Sequence, residues 1–416
     1  MSRRPAPVLA LALAVAAAAC GATPPSPTTG SSAAGRTLPT ATGTPRPTLE
    51  PTPVPQWLDA AITHPAPVNG FASQAPGYFC DPCHNLAEDN LFGVAAVAGG
   101  YIATGAVTPP ASAIALWSPD GMTWTPLPGF SSVNGSAAVA VAQSGARIVL
   151  VGHDSSGAAA WAGDNGTWSA APAQSTLLVS FAAGGMTSVV PFDGGFVGAG
   201  YRDDPLHLRA AGAVWRSADG LSWSLDADGG AFGGARILGL AAVGDTLVAV
   251  GTAGDLIKGP AAAWRWTRGS GWQPAEVPAG GGSIGAVLAW PRGLVAVGVN
   301  ASDTGAMAWT SADGVSWQAA PDQAAFQYYG LPVRLQALTL VGGTWVAAGW
   351  RSDPGKGSSV AVTSEDGRTW SALPWQASFS GGEIDALATS GGTLVAAGRV
   401  GYPDDDKAAV WVRNWP

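Results

Sequence analysis

The chain has 416 residues, 20 of them basic and 28 acidic, and carries a net charge of −8. No basic stripe runs along it, which argues against nucleic acid as a partner. Charged residues make up only 12% while glycine (58) and tryptophan (19) abound, a composition suited to an all-β chain with many tight turns and buried aromatics.

Arg3 and Arg4 precede an apolar run from Val8 to Ala19 that ends in small residues before Cys20. Residues 1–19 read as a secretory signal, because the run is too short to cross about 30 Å of hydrocarbon. The string Ala17 to Gly21 (AAAC-G) resembles a bacterial lipoprotein signal. That resemblance implies lipidation of Cys20 and a place at the outer face of the bacterial cytoplasmic membrane; an ordinary cleaved signal and secretion is the alternative. Residues 20–55 continue in Pro, Thr, Ser, Ala and Gly. They cannot bury enough surface to offset ordering entropy, so a disordered tether reaching about 100 Å is expected.

Residues 56–90 contain Cys80-Asp81-Pro82-Cys83-His84. With Cys20 lipidated, Cys80 and Cys83 remain as a pair in an oxidising compartment, where a local disulfide is expected. The same string matches the short haem c attachment motif with His84 as iron ligand. The first repeat strand follows too soon for a helical cytochrome domain, and no nearby methionine offers a sixth ligand. Two cysteines and a histidine also lack the fourth ligand of a zinc site, so neither cofactor nor metal is expected, with haem c at Cys80, Cys83 and His84 as the alternative.

From Leu91 to Pro416 a glycine closes a short apolar strand seven times, at Gly105, Gly152, Gly200, Gly251, Gly298, Gly349 and Gly398. Each repeat reads as four short strands. In the fourth these are Ile237 to Val243, Thr246 to Gly251, Ala261 to Trp266, and a short strand through Trp272. The fifth matches it as Ile284 to Trp290, Gly293 to Gly298, Gly305 to Thr310 and Val315 to Ala319. Seven such units predict a seven-bladed β-propeller of four-stranded blades; a parallel β-helix has a shorter repeat without hairpin turns. Twelve positions before each repeat glycine stands a small residue (Gly93, Ala140, Ser188, Gly239, Ala286, Ala337, Ala386), as an inner strand buried on both faces requires.

A second signature recurs as SPDGMTW, GDNGTW, SADGLSW, SADGVSW and SEDGRTW, with a degenerate TRGSGW and a truncated VWVRNW at the end of the chain. The aspartate can accept backbone N–H groups, and the glycine supplies the positive φ of a tight turn. This signature resembles the BNR or Asp-box repeat of sialidases and of non-enzymatic propellers, photosystem assembly factors among them. The usual Asp box has one more residue between aspartate and glycine, a spacing kept here only by Asp164-Asn165-Gly166. The resemblance implies structural roles for Asp120, Trp124, Asp164, Trp168, Asp219, Trp223, Asp313, Trp317, Asp366 and Trp370. The last repeat runs out after Trp415, so a segment within Gln56 to Phe79 is expected to supply the missing outer strand and close the ring.

Fifteen positions before the repeat glycines lie Asn90, Ala137, Gly185, Arg236, Ser283, Arg334 and Glu383, at the mouth of the expected central channel. Arg236, Arg334 and Glu383 stand out in a chain with so little charge. Arg202 on a long loop, and Tyr328, Tyr329 and Trp375 on the segments entering inner strands, join them as a candidate binding face, together with Phe232, Phe326 and Phe379. Polar loops and phenylalanines packed between blades are the alternative. Sialidase chemistry would need three arginines on a carboxylate, a tyrosine nucleophile and central acids; the Arg-Ile-Pro motif is absent, the nearest strings being Arg236-Ile237-Leu238 and Arg147-Ile148-Val149. No catalytic residue is assigned. The expectation is a monomeric, membrane-anchored lipoprotein, non-catalytic, that binds a protein or glycan partner; a divergent sialidase-like glycoside hydrolase and an extracytoplasmic assembly scaffold are the alternatives. Replacing Ala337 by Leu is expected to overpack the inner ring and cost about 1–3 kcal/mol, read as a lowered melting temperature; an unchanged one would remove Ala337 from that ring.

Overall fold

The computed structural model describes residues 57–62, 88–108, 111–132, 135–164, 166–172, 184–204, 209–254, 259–328, 331–353, 356–401 and 407–415. The expected signal segment and tether, and Cys20, Cys80, Cys83, His84 and Tyr329, lie outside them.

Apolar runs separated by two-residue turns pair as hairpins, the first step from this sequence to its architecture. Ala235–Val243 folds back on Thr246–Ala253, which pairs with Ala261–Thr267, which pairs with Gly271–Pro274. The same meander is built over residues 88–126, 137–170, 184–233, 281–319, 333–372 and 382–414, the last lacking its outer strand. The result is a seven-bladed β-propeller. Inner strands of successive blades pack side by side, and that of the seventh meets that of the first. The core lies between blades: Val149 and Ala160 of the second sheet pack with Trp215 of the third, for example.

Every inner strand carries a β-bulge at one equivalent position. In the fourth blade Ile237 faces Gly251 and Gly239 faces Val250, leaving Leu238 unpaired; the same shift follows Leu91, Ala138, Met186, Ile284, Leu335 and Ile384. A bulge sharpens twist and bends a strand. It also explains the repeat glycine. A Cβ on Gly251 would overlap the carbonyl oxygen of Arg236, and the equivalent overlap exists at all seven repeat glycines. The small residue of the inner ring sits just after the bulge.

The seventh sheet is completed from the other end of the chain. Leu58–Asp59 pairs antiparallel with Lys407–Asn414, and Ala61–Ile62 then runs parallel to Thr123–Pro126 of the first blade. Glu276 bridges in parallel to Ser316 between the fourth and fifth blades, so the closing junction repeats an internal one. Trp57 fills the place of a signature tryptophan: it is 4% exposed and packs on Phe379 at 6.0 Å. Two related strings hold these tryptophans. Gln323-Ala324-Ala325-Phe326 accepts the Trp370 N–H on Gln323 Oε1 (2.6 Å), and Gln376-Ala377-Ser378-Phe379 accepts the Trp57 N–H on Gln376 Oε1 (3.1 Å). VWVRNW is therefore not a truncated signature. Trp411 belongs to the third strand, in register with Trp161, Trp215, Trp264 and Trp309, and Trp415 packs under the Arg413 guanidinium. The expected outer strand Val315 to Ala319 is also shorter, Gln318–Ala319, because Val315 is taken up by the turn.

Trp57→Ala is expected to cost about 3–5 kcal/mol by emptying the Phe379 contact. Leu58→Ala, at a 52%-exposed neighbour, should stay within about 0.5 kcal/mol. Denaturant melts of the two variants check this; equal stability would mean that Trp57 closes nothing.

Candidate functional site

Because the sheets are antiparallel meanders, inner strands begin on one face of the ring and signature turns gather on the other. The first face carries the loops that follow the repeat glycines and those that enter the inner strands. There the residue fifteen before each repeat glycine stands opposite the residue just after it: Arg236 faces Thr252, Arg334 faces Trp350 and Glu383 faces Arg399.

Arg334 and Glu383 fall into one polar cluster on the sixth and seventh blades. Arg334 donates to Asp303 through Nε (3.0 Å) and Nη2 (2.5 Å), and its guanidinium lies 5.9 Å from the Trp350 ring. Asp303 reaches it from a fifth-blade turn, where it holds a left-handed φ of 58°. Arg399 donates to Glu383 Oε2 from Nε (3.0 Å) and Nη2 (2.5 Å). Gln336, the bulge residue of the sixth blade, donates its Nε2 to Glu383 Oε1 (2.9 Å) and to Asp385 Oδ1 (2.5 Å), bridging to the seventh. Beside them Arg351 pairs with Asp353 (3.2 Å) and lies over the Tyr328 ring at 4.0 Å. Each of these arginines thus has a carboxylate, and the half-exposed network is nearly charge-neutral.

The remaining candidates scatter. Arg236 stacks on Tyr201 of the third blade at 4.6 Å, so the ring of charges does not converge. Arg202 is half-buried on the third blade, and Trp375, 50% exposed, stands near the closing strand beside Gln376. Phe232, Phe326 and Phe379 are buried against Trp264 and Trp272, Trp370, and Trp411, and leave the binding face for the inter-blade core. Arg399, Trp350, Gln336, Asp385 and Asp303 were not singled out from the sequence. The column one residue after each repeat glycine would have found the first two.

The signature turns occupy the opposite face. In the third blade Asp219 Oδ1 accepts the N–H groups of Leu221 (2.8 Å) and Ser222 (2.7 Å), while Ser217 Oγ accepts that of Gly220 (2.8 Å). Gly220 takes a φ of 78° and presses on Val149 of the second blade, and Trp223 Nε1 donates to the Gly220 carbonyl (2.9 Å). Asp120, Asp313 and Asp366 make the same backbone bonds. Asp164 departs from them: it pairs with Arg147 at 3.4 Å, and Trp168 is only half-buried. Two grooves open on this face, one beside Trp290, Asp313 and Arg368, the other beside Trp117 and Trp168. Among the described residues no group of His, Cys, Asp and Glu is arranged to hold a metal ion.

A family described as "DUF6242 beta propeller domain" matches residues 118–412. No curated protein matches the chain. Among solved structures, "YCF48 bound to D1 peptide" is similar at 14% identity and TM-score 0.49, over 80% of this chain and 93% of that one. A protein of unknown function from Dyadobacter fermentans follows at 12% identity and TM-score 0.43, over 80% and 96%. A mutant Trypanosoma rangeli sialidase displaying trans-sialidase activity has 12% identity and TM-score 0.43, over 66% and 53%. Likenesses of this depth say nothing of activity or partner.

Burial alone would raise the Asp219 carboxyl, but the N–H groups of Ser222 and Leu221 and the Ser217 and Ser222 hydroxyls outweigh it and hold it at about 2. A pKa depressed in the folded state gives stability that is complete above the unfolded value of 3.8 and is lost as pH falls through about 2. Asp219→Asn is therefore expected to lower the melting temperature at pH 6, with the gap closing as the pH falls through about 2. A gap independent of pH would show that the charge contributes nothing.

Proposed function

The chain belongs to the DUF6242 beta propeller domain family, and on that premise we propose an extracytoplasmic, lipid-anchored propeller that binds a protein or glycan partner through its loop-bearing face, without catalysis. The observation that carries this is the ion-paired cluster of Arg334, Arg351 and Arg399 with Asp303, Asp353 and Glu383. A clamp on a substrate carboxylate needs arginines directed at the ligand, whereas these three are already matched within the protein. A mosaic of both signs over Tyr328 and Trp350, with the Arg334 side chain 48% exposed, suits hydrogen bonding to a polar partner. The anchoring rests on Arg3, Arg4, the apolar run and Cys20.

A photo-crosslinking amino acid at position 350, beside Arg334, compared with one at Arg292 on the opposite face, tests the proposal in intact cells. A discrete adduct from 350 alone is expected, and Cys20→Ala should release the protein from the membrane fraction. Adducts from 292 alone, or from neither, would reject the face. Hydrolysis of fluorogenic glycosides that Glu383→Gln abolishes would reject the absence of catalysis.

A further inference from the structure

Two breaks in the repeat, on adjacent blades, open into one groove. The first is in the second blade's signature. Ser118, Ser217, Ser311 and Ser364 accept the N–H of the turn glycine in four copies; here the equivalent residue is Gly163. A Cβ at that position would lie 2.5 Å from Cδ2 of Trp168, so only glycine lets the indole lie across the third strand. The other signature tryptophans, Trp57, Trp124, Trp223, Trp272, Trp317 and Trp370, are all 7% exposed or less, and Trp168 is half-buried. The second break is Trp117. In register with it, each opposite the branched residue of the second strand, stand Ala162, Arg216, Arg265, Thr310, Thr363 and Val412. No other copy places an aromatic there.

Both indoles line one groove of about 430 Å³, with Leu127 and Ile148 also in its wall. Its polar groups are few. Gln143 is committed to the Ala98 N–H and the Gly145 carbonyl, while Asp164 in the wall is ion-paired with Arg147, which stands just outside the lining; their side chains remain 44% and 36% exposed.

We propose that this groove binds a neutral oligosaccharide, with sugar rings on Trp117 and Trp168 and hydroxyls on the Asp164–Arg147 pair. An ion pair of net charge zero favours neither an anion nor a cation. Indole faces are electron-rich and receive the C–H face of a pyranose. A hydroxyl both donates and accepts, so one sugar edge can satisfy the carboxylate and the guanidinium together. A proline-rich peptide also fits aromatic grooves, but proline has no N–H to give Asp164. The site lies on the face opposite the ion-paired cluster and stands independently of its role.

Calorimetric titration of the full chain with cellohexaose, maltohexaose, laminarihexaose and chitohexaose tests the proposal, with decaproline as competitor. One saccharide is expected to bind, Trp117→Ala and Asp164→Asn each weakening it at least about tenfold. Leu58→Ala should bind as wild type does. If Trp117→Ala fails to fold, the exposed rim variant Asp164→Asn carries the test. Heat with none of the four saccharides, an affinity unchanged in both groove variants, or displacement by decaproline would overturn it.

Discussion

Each blade is organised by the contact of the repeat glycine with a carbonyl oxygen of its own inner strand. The bulge turns that oxygen into the space a Cβ would occupy, so glycine and bulge require each other. The residue whose carbonyl is clamped is the one that begins the channel mouth: Arg236, Arg334 or Glu383. Fold and candidate site are therefore linked through single residues. The backbone of each charged residue is held by the most invariant feature of the repeat, and only its side chain is free to vary between blades.

The bulge also decides which side chains meet. Counted back from the hairpin Ser390–Thr393, a regular ladder would set Glu383 opposite Val400; the extra residue Asp385 sets it opposite Arg399 instead. In the sixth blade the same shift puts Arg334 opposite Trp350 rather than Arg351. The Glu383–Arg399 ion pair is thus a product of the bulge. A one-residue change of register exchanges the two faces of a strand. That is why the repeat glycines made the seven-fold order and the channel-mouth column legible, while Arg399, Trp350 and Gln336 were not. Their partners follow from pairing across the bulge, and spacing along the chain does not encode it.

Ring closure was half legible for a related reason. The missing outer strand pointed to the segment before Leu91, but Trp57 stands in PQWLDA without the Ser-x-Asp-Gly that marks its equivalents. Its place is defined by partners more than 300 residues away, Gln376 and Phe379. The matching strings QAAF and QASF were the available signal, since each prepares a glutamine oxygen and a phenylalanine ring for a tryptophan still to be supplied. The second blade's signature misled in the opposite way. Asp164-Asn165-Gly166 keeps the usual Asp-box spacing, yet its aspartate turns to Arg147 and its tryptophan stays half-buried at the edge of the core.

The energetic contrast between conserved and variable positions bears on where binding can occur. Glycine–carbonyl contacts, the bulges and buried tryptophans cannot change without a clash or a cavity, which costs several kcal/mol. Solvent-exposed ion pairs contribute about 0–1 kcal/mol. Arg147 with Asp164, 36% and 44% exposed, therefore adds little to the stability of the ring, whereas Arg399 with Glu383, 26% and 20% exposed and joined through Gln336, is held within a network. The glycine clamp beneath Glu383 and Arg334 holds the backbone whatever their side chains pair with. In a chain with only 12% charged residues, paired charges beside half-buried aromatics are where the repeat has been altered at least cost to the fold.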